Sequence, residues 1–272
     1  MPTESVQTTV KILESLGATS RPEQSWSSVH FDSLVYDSRK VVPGSCFFCV
    51  PGERTDGNEF IADAIARGAS CIVSEKEHPG LATPHLQVPD VRLALALAAD
   101  TFFGQPSRKM RIIGVTDTNG KTTTTHLIEH VLNSCGKPCG LIGTLGARWT
   151  SGSDYGDAKH TTPQAPELQQ LLSNMHSAGC SHVAMEVSSH SLALKRVAGC
   201  HFSSAVLTNI TQDHLDFHKT MDHYWRTKRA LFEIVESEAD ANSFSVVNLD
   251  DHYAKEFTKP AKRNSQTLTY GY

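Results

Sequence analysis

The sequence contains no long hydrophobic run. Its richest apolar stretch, residues 93–99, is short and ends at Asp100, well below the roughly 20 apolar residues that a membrane-spanning helix needs. Residues 1–7 include neither a basic segment nor an apolar one, so no signal peptide is recognisable. These absences predict a cytoplasmic protein that has no membrane partner.

Positive charge is not in excess either. The 272 residues include 25 lysines and arginines against 29 aspartates and glutamates, which gives a formal net charge of −4. Proteins that hold nucleic acid need a basic surface that displaces counterions from the phosphates. The composition therefore argues against a nucleic-acid partner.

A regular set of paired cysteines is also lacking. The 7 cysteines are odd in number and scattered, unlike the cysteines of a disulfide framework. Cys46 and Cys49 form a C-x-x-C, so a metal or redox site is an alternative, but no second such pair stands at zinc-ligand spacing. Residues 46–50 have the apolar character of a strand, and we expect both thiols to be reduced and buried in a core.

What the sequence does have is two successive α/β patterns. The first contains predicted helices over residues 6–16 and 60–65 and predicted strands over residues 34–36, 46–50 and 71–73. A hinge rich in polar residues follows at residues 104–109. We therefore predict a small N-terminal α/β domain over residues 1–105.

Strands and helices alternate after the hinge, as in a doubly wound, mainly parallel sheet. Strands are predicted over residues 111–116, 139–142, 181–187, 204–208 and 244–247, and helices over residues 122–135 and 168–175. The apolar residues expected on one face of the first helix are Leu127, Ile128, Val131, Leu132 and Cys135. This pattern predicts a central α/β domain over residues 106–272.

A Gly-Lys-Thr sequence lies between the first strand of this domain and the helix after it. The segment reads Thr116-Asp117-Thr118-Asn119-Gly120-Lys121-Thr122-Thr123. In such a turn, backbone N–H groups can point at phosphate oxygens, Lys121 can neutralise the terminal phosphates, and the Thr122 hydroxyl can hold Mg²⁺. The alternative is a chance Gly-Lys-Thr, since Val115 stands where the general G-x-x-x-x-G-K-[ST] loop has its first glycine.

Two polar motifs follow later strands. Glu186 lies in M-E-V-S-S-H at the end of an apolar strand, where an unpaired carboxylate is costly to bury and therefore indicates a cation. His214 lies in T-N-I-T-Q-D-H-L-D-F-H after the next strand. A lone histidine there is more often structural, but the carboxyl ends of parallel strands gather at one crevice. We expect Glu186, His214 and the loop at Lys121 to converge there.

These motifs resemble those of the Mur ligase family, and specifically of the members that add the third residue to the peptidoglycan precursor. The matches are to the loop G-T-N-G-K-T-[ST], to M-E-V-S-S-H, to T-N-[IL]-x-x-D-H-L-D-[YF]-H, to D-S-R-x-V-x-P-G at residues 37–44, and to N-x-D-D at residues 248–251. The resemblance covers about residues 30–272. It implies an ATP-dependent amide ligase, requiring Mg²⁺, that acts on UDP-N-acetylmuramoyl-L-alanyl-D-glutamate through an acyl phosphate.

The resemblance also implies roles for individual residues. The ATP-binding residues would be Asp117, Thr118, Asn119, Gly120, Lys121, Thr122, Thr123 and Asn248. The metal ligands would be Thr122, Glu186, His214 and, as a carbamate, Lys228, and the catalytic residues Lys121, Lys228, Glu186 and His214. The residues that bind the UDP precursor would be Ser38, Glu53, Arg54, Thr55, Thr161, Thr162, Ser188 and Arg196. From the residues alone, Lys228 beside Arg226 and Arg229 is instead expected on a solvated helix face.

One residue departs from the family pattern in the phosphate loop. Asp117 replaces the leading glycine of G-T-N-G-K-T-[ST]. A glycine at that position can adopt positive φ and lets the backbone approach the phosphates, whereas a carboxylate adds bulk and negative charge. Aspartate tolerates the left-handed region better than most residues, so we expect the loop to form and to bind ATP weakly but measurably.

A complete ligase of this family has a third, C-terminal domain that holds the amino acid and selects diaminopimelate or lysine. We expect this chain to lack that domain and the last strands of the central sheet. Two hypotheses follow: a truncated or split ligase, completed by a separately supplied C-terminal domain, or a non-catalytic remnant that binds nucleotide and UDP precursor. A folylpolyglutamate or cyanophycin-type relative is a third, which the Asp37-Ser38-Arg39 segment disfavours.

Overall fold

The computed structural model describes residues 19–20, 29–52, 55–149, 160–238, 240–258 and 266–272. The chain divides into two compact units, Met1–Gly104 and Gln105–Tyr272, one residue before the predicted boundary. The helix predicted over residues 6–16 lies outside the described residues, and so do Glu53 and Arg54. Within the described ranges, no helix is both long enough and apolar enough to cross a membrane.

The first unit is built on a five-stranded sheet. Its strands are β1 (Thr19–Ser20), β2 (Ser33–Val35), β3 (Ser45–Phe48), β4 (Cys71–Ser74) and β5 (His85–Gln87). Their order is β1-β5-β4-β3-β2, in which β1 runs antiparallel to β5 and the other neighbours are parallel. Every residue of β3 and β4 is buried, as expected for parallel strands covered on both faces.

Among the described residues of this unit, the α-helices are α1 (Ile61–Ala66) and α2 (Val91–Phe102). The apolar run within α2 was not predicted to form a helix. The Asp90 carboxylate starts α2 by accepting a hydrogen bond from the Leu93 N–H at 2.9 Å, and its leucines and alanines are good helix formers. The capping residue and the helix-forming residues together stabilise α2.

The expectation for the cysteines of this unit is confirmed. Cys46 and Cys49 are free thiols, each 1% exposed, and Cys71 is buried beside them on β4. Burial raises the pKa of the Cys49 thiol to about 12. A thiol with so high a pKa is a poor metal ligand or nucleophile, so these cysteines act as core residues.

The second unit is built on a seven-stranded sheet. Its strands are β6 (Arg111–Thr116), β7 (Cys139–Gly143), β8 (Gly146–Arg148), β9 (His182–Glu186), β10 (Ser204–Leu207), β11 (Phe244–Asn248) and β12 (Gln266–Tyr270). Their order is β12-β11-β10-β6-β9-β7-β8, and all neighbours are parallel except β7 and β8. The doubly wound, mainly parallel sheet predicted for residues 106–272 is confirmed.

The helices of the second unit connect these strands. They are α3 (Lys121–Ser134), α4 (Ala165–Ser177), α5 (Ser189–Ala193), α6 (Leu215–His218), α7 (Met221–Ser237) and α8 (Ala254–Phe257). From β6 the chain passes through α3 to β7 on one side, returns to β9, and then continues through α5 to β10 on the other side of β6. The strand order thus reverses around β6, which is where open α/β sheets bind ligands.

The expected inward face of α3 is partly wrong. Leu127 and Val131 are 60% and 56% exposed, and Cys135 is exposed, whereas Ile128 and Leu132 are only partly accessible. Thr125 is the buried residue of this helix. Ile128 and Leu132 follow Thr125 by three and seven residues, so these three side chains lie on the face of α3 that packs on the sheet. The other apolar side chains lie on the exposed face.

Candidate functional site

A cleft of about 320 Å³ lies at the carboxyl ends of β6, β9 and β10, where the strand order reverses. Its lining residues come from the predicted motifs and from segments between them. They are Thr118, Asn119, Gly120, Lys121, Thr122, Thr144, Thr161, Glu186, Ser188, Ser189, Asp213, His214, Tyr224 and Lys228. The loop at Lys121, Glu186 and His214 therefore share one crevice, as the sequence analysis expected.

The loop between β6 and α3 is shaped by a residue that follows β10. The Thr118 N–H donates to the Asn209 carbonyl at 2.9 Å, and the Asn119 N–H donates to Asn209 Oδ1 at 3.0 Å. Gly120 then starts α3 with a φ of 111°, a left-handed conformation that favours glycine. Asn209 and Gly120 together turn the loop so that its residues line the cleft.

Asp117 sits beneath this loop and does not line the cleft. Its carboxylate is 0% exposed, accepts the Lys121 N–H at 3.1 Å through Oδ1, and accepts the Thr208 hydroxyl at 2.6 Å through Oδ2. Burial raises the pKa of Asp117, while the Thr208 hydrogen bond and the charge of Lys121 act in the opposite direction. Its φ is not positive, so the loop forms here without a left-handed conformation at this position.

Two ammonium groups meet above Asp117. Lys121 Nζ donates to the Asp117 carbonyl at 2.7 Å and to the Thr118 carbonyl at 3.1 Å, and it lies 3.3 Å from Asp117 Oδ1. Lys228 Nζ donates to the same Asp117 carbonyl, also at 2.7 Å. Both lysines therefore share one carbonyl oxygen beside the Asp117 carboxylate.

The expectation that Lys228 lies on a solvated face is wrong. Lys228 is 1% exposed, and its Nζ lies 4.6 Å from the centroid of the Tyr224 ring. Lys228 lies on the inward face of α7, together with the buried residues four positions before and after it and seven positions after it. Arg226 points outward instead and pairs with Asp222 at 2.7 Å. Burial, and then the charge of Lys121, lower the pKa of Lys228 to about 7.

Glu186 occupies the end of β9 with a fully buried side chain. Its Oε1 accepts the Thr144 N–H at 3.0 Å, and its Oε2 accepts the Thr144 hydroxyl at 3.0 Å. Across the described residues, no lysine, arginine or histidine forms an ion pair with this carboxylate. A buried carboxylate held only by neutral donors is suited to receive a cation.

His214 faces the cleft from the start of α6. It has a φ of 52°, an uncommon conformation for a residue other than glycine, and its Nε2 lies 3.5 Å from Asp213 Oδ2. Its ring is 4.8 Å from the ring of His190. Within the part of the chain that the structure describes, no three His, Cys, Asp or Glu side chains group as a metal site, so a metal here needs other oxygen ligands as well.

The residues expected to contact the precursor in this unit fall into two sets. Thr161 and Ser188 line the cleft. Thr162 is buried behind them, where its hydroxyl donates to the Glu186 carbonyl at 2.9 Å. Arg196 is 9% exposed and donates through Nη1 to the Thr162 carbonyl at 3.1 Å, so it supports this loop from within.

The remaining predicted residues lie away from the cleft lining. Thr123 is exposed on the first turn of α3, and Asn248 donates through Nδ2 to the Thr208 carbonyl at 3.0 Å. In the first unit, Ser38 is buried in a 3-10 turn, where its hydroxyl bonds Asp63, and Thr55 is exposed. Thr123 and Asn248 do not line the cleft, and Asn248 contacts Thr208, which bonds the Asp117 carboxylate.

Four cleft residues were missed by the sequence analysis: Thr144, Ser189, Asp213 and Tyr224. Ser189 and Asp213 lie inside the motifs that identified Glu186 and His214. Tyr224 precedes Lys228 by one helical turn, and its hydroxyl lies 3.2 Å from Thr118 Oγ1. Thr144 directly follows β7, so the rule that drew attention to the ends of the other strands would have found it.

Comparison with known proteins agrees with this geometry. The family model described as "Mur ligase family, catalytic domain" matches residues 30–103, and the "Mur ligase middle domain" matches residues 115–272, more than half of the chain. A UDP-N-acetylmuramoyl-L-alanyl-D-glutamate–2,6-diaminopimelate ligase of Gloeobacter violaceus is 43% identical over 97% of this chain and 52% of its own length. The ligase of the same name from Solibacter usitatus is 46% identical over 88% of this chain and 47% of its own.

A solved structure of a ligase with this name superimposes with a TM-score of 0.78 and 31% identity, over 92% of this chain and 50% of that one. The chain spans about half the length of the curated relatives it matches. The two family models follow each other along the sequence in the same order as the two compact units. The chain therefore belongs to the Mur ligase family.

Proposed function

We propose that this chain is the nucleotide-binding and precursor-binding part of a ligase that adds the third amino acid to UDP-N-acetylmuramoyl-L-alanyl-D-glutamate. The observation that carries the proposal is the shared cleft of Lys121, Lys228 and the buried Glu186. The curated relatives at 43% and 46% identity, which are named for this reaction and for 2,6-diaminopimelate, support both the precursor and that amino acid.

The phosphates of ATP are proposed to lie at the loop before α3. The 14-residue helix presents its N-terminus to the cleft, and such a terminus favours anions through its free N–H groups and its dipole. Lys121 now donates to two carbonyls of the loop, and phosphate oxygens can replace these acceptors. Thr118, Asn119 and Gly120 complete the cradle, and Asn248 is proposed to lie near the adenine.

The donor set fits Mg²⁺. Mg²⁺ prefers oxygen ligands and is commonly held by one or two carboxylates together with substrate phosphates. Glu186 offers a buried carboxylate, Thr122 a hydroxyl and His214 an imidazole in the same cleft. When bound, the ion would neutralise charge that develops on the transferred phosphoryl group.

Lys228 is proposed to carry a carbamate. Only a neutral amine reacts with CO₂; the nitrogen forms a bond to carbon and releases one proton. Because burial lowers the pKa of Lys228 to about 7, a large fraction of this amine is neutral at physiological pH. The modification would replace a cation by an oxygen ligand and remove the repulsion between Lys228 and Lys121.

The proposed reaction proceeds in two steps. The precursor carboxylate attacks the γ-phosphate of ATP and releases ADP, and the amine of the incoming amino acid then displaces phosphate from the acyl phosphate. Lys121 would stabilise the charge on the phosphoryl oxygens, while Thr161 and Ser188 would orient the precursor. In the first unit, Ser38, Glu53, Arg54 and Thr55 are proposed to bind the UDP moiety. The domain that supplies the amino acid is proposed to be a separate C-terminal ligase domain.

A non-catalytic binding protein is the second candidate, and the position of Asp117 favours it. Its carboxylate holds the Lys121 N–H and ammonium, two groups that would otherwise be available to phosphate. An internal anion of this kind competes with the nucleotide and adds a negative charge close to it. Weak nucleotide affinity would follow in either case, and turnover distinguishes the two candidates.

Replacing Asp117 by glycine is expected to tighten ATP binding by roughly tenfold, or about 1.4 kcal/mol, because Lys121 loses its internal partner. Isothermal titration calorimetry with ATP and Mg²⁺ measures the change. Asp117→Asn is the matched control, since it keeps the shape and removes the charge, and it should give most of the same gain. Equal affinities for the wild type and Asp117→Gly would show that this carboxylate does not weaken binding.

Carbamylation of Lys228 is expected to give a carbamate resonance in ¹³C NMR spectra recorded with ¹³C-bicarbonate. The signal should be present at pH 8 and lost toward pH 6, because protonation below a pKa of about 7 removes the reactive amine. Lys228→Arg should abolish it, and Lys255→Arg, at an exposed lysine of α8, should leave it unchanged. A signal that survives Lys228→Arg would place the modification elsewhere.

Phosphate release tests the ligase directly. The chain is assayed with ATP, the UDP-muramoyl dipeptide and 2,6-diaminopimelate, with and without a separately supplied C-terminal domain of a relative. We expect release with the added domain, and Lys121→Ala should abolish it because the phosphates lose their main cation. Nucleotide binding without turnover under both conditions would support the non-catalytic candidate instead.

A further inference from the structure

We propose that Gly143 and Thr144 form a seat for the Glu186 carboxylate, and that Thr144 is a positioning residue for the cation site. The inference rests on the proposed function, because it explains how the structure holds a proposed metal ligand in place. Thr144 was not among the residues that the sequence motifs identified.

Thr144 satisfies both oxygens of Glu186 at once. Its N–H donates to Oε1 and its hydroxyl donates to Oε2, both at 3.0 Å. Two donors from one residue fix the plane of a carboxylate as well as its position. Because a carboxylate has about four lone-pair sites, two bonds leave the remaining sites available to a cation.

Gly143 provides the space that this arrangement needs. A Cβ added at Gly143 would overlap the Glu186 carboxylate, which is fully buried. Any larger residue would therefore displace the carboxylate from its present position. The absence of a side chain at Gly143 and the donors of Thr144 act on the same group from adjacent positions.

The backbone around Thr144 is held in place by the sheet. Ile142 pairs with Met185 in the parallel β7–β9 ladder, which brings the residues after β7 next to Glu186. Gly143 then pairs with Gly146 across a two-residue hairpin turn, and Gly146 has a φ of 109°. Thr144 lies in this tight turn, so its donors have little freedom to move away from the carboxylate.

A second hydrogen bond connects the seat to the proposed precursor loop. Thr144 Oγ1 lies 3.1 Å from Thr161 Oγ1. A hydroxyl has one hydrogen, and Thr144 gives its hydrogen to Glu186, so Thr161 is the donor in this pair. Thr161 then offers only lone pairs to the cleft, which suits a ligand N–H or O–H and disfavours a carboxylate. Hydrogen bonds thus connect the precursor loop to the cation site, from Thr161 to Thr144 and from Thr144 to Glu186.

Metal affinity is the direct readout, because partners that orient a ligand commonly contribute 10–100-fold, or roughly 1.4–2.7 kcal/mol, to metal binding. Mn²⁺ is titrated into the full chain with saturating ADP, and free Mn²⁺ is followed by electron paramagnetic resonance against an ADP-only titration. We expect Thr144→Val to weaken Mn²⁺ binding by about 10–100-fold. Thr144→Ser keeps both donors and should bind Mn²⁺ within about threefold of the wild-type affinity.

Three further variants separate positioning from a general structural effect. Gly143→Ala should weaken Mn²⁺ binding although it keeps the Thr144 hydroxyl. Thr267→Val, at an exposed threonine of β12, should leave it unchanged. In the Glu186→Gln background, Thr144→Val should cause no additional loss, since it acts through the residue already altered. If Thr144→Val does not fold by circular dichroism, Thr144→Ala and Gly143→Ala decide the question.

The outcomes distinguish this inference from the function on which it rests. Wild-type protein that binds no Mn²⁺ in the presence of ADP would overturn both. Wild-type binding that is unchanged in the folded Thr144 and Gly143 variants would overturn the seat alone. Equal losses in Thr144→Ser and Thr144→Val would also contradict it, because the serine retains the hydrogen bonds.

Discussion

Two lysine side chains donate to one carbonyl oxygen at the end of β6, and the rest of the site is organised around them. Lys121 and Lys228 each lie 2.7 Å from the Asp117 carbonyl. Two like charges that share one acceptor repel each other. The protein reduces that repulsion by pairing Lys121 with the Asp117 carboxylate and by lowering the pKa of Lys228.

The fold produces this arrangement by bringing three strand ends together. The loop after β6 supplies Lys121, the end of β9 supplies Glu186, and the segment after β10 supplies His214 and the asparagine that shapes the loop. Lys228 arrives from α7, on the inward face of a long amphipathic helix. The cleft lies at the carboxyl ends of these strands, where the sheet reverses its strand order.

Much of the second sheet and of the cleft could be predicted from the sequence, because the polar motifs directly follow apolar strands. The strand over residues 111–116 has the predicted bounds, and the motif residues Lys121, Glu186 and His214 share one cleft. Lys228 was misjudged because its neighbours in sequence, two arginines, are not its neighbours in space. The place of the Asp117 carboxylate could not be read from the sequence, because its partner Thr208 follows another strand.

Binding of a nucleoside triphosphate through Lys121 can be measured at equilibrium, without turnover. Isothermal titration calorimetry of ATP with Mg²⁺ should give measurable binding to the wild type. Lys121→Ala should weaken that binding by at least about tenfold, the loss expected for hydrogen bonds to a charged group. Wild-type protein that binds no ATP, or a Lys121→Ala variant with wild-type affinity, would contradict the account.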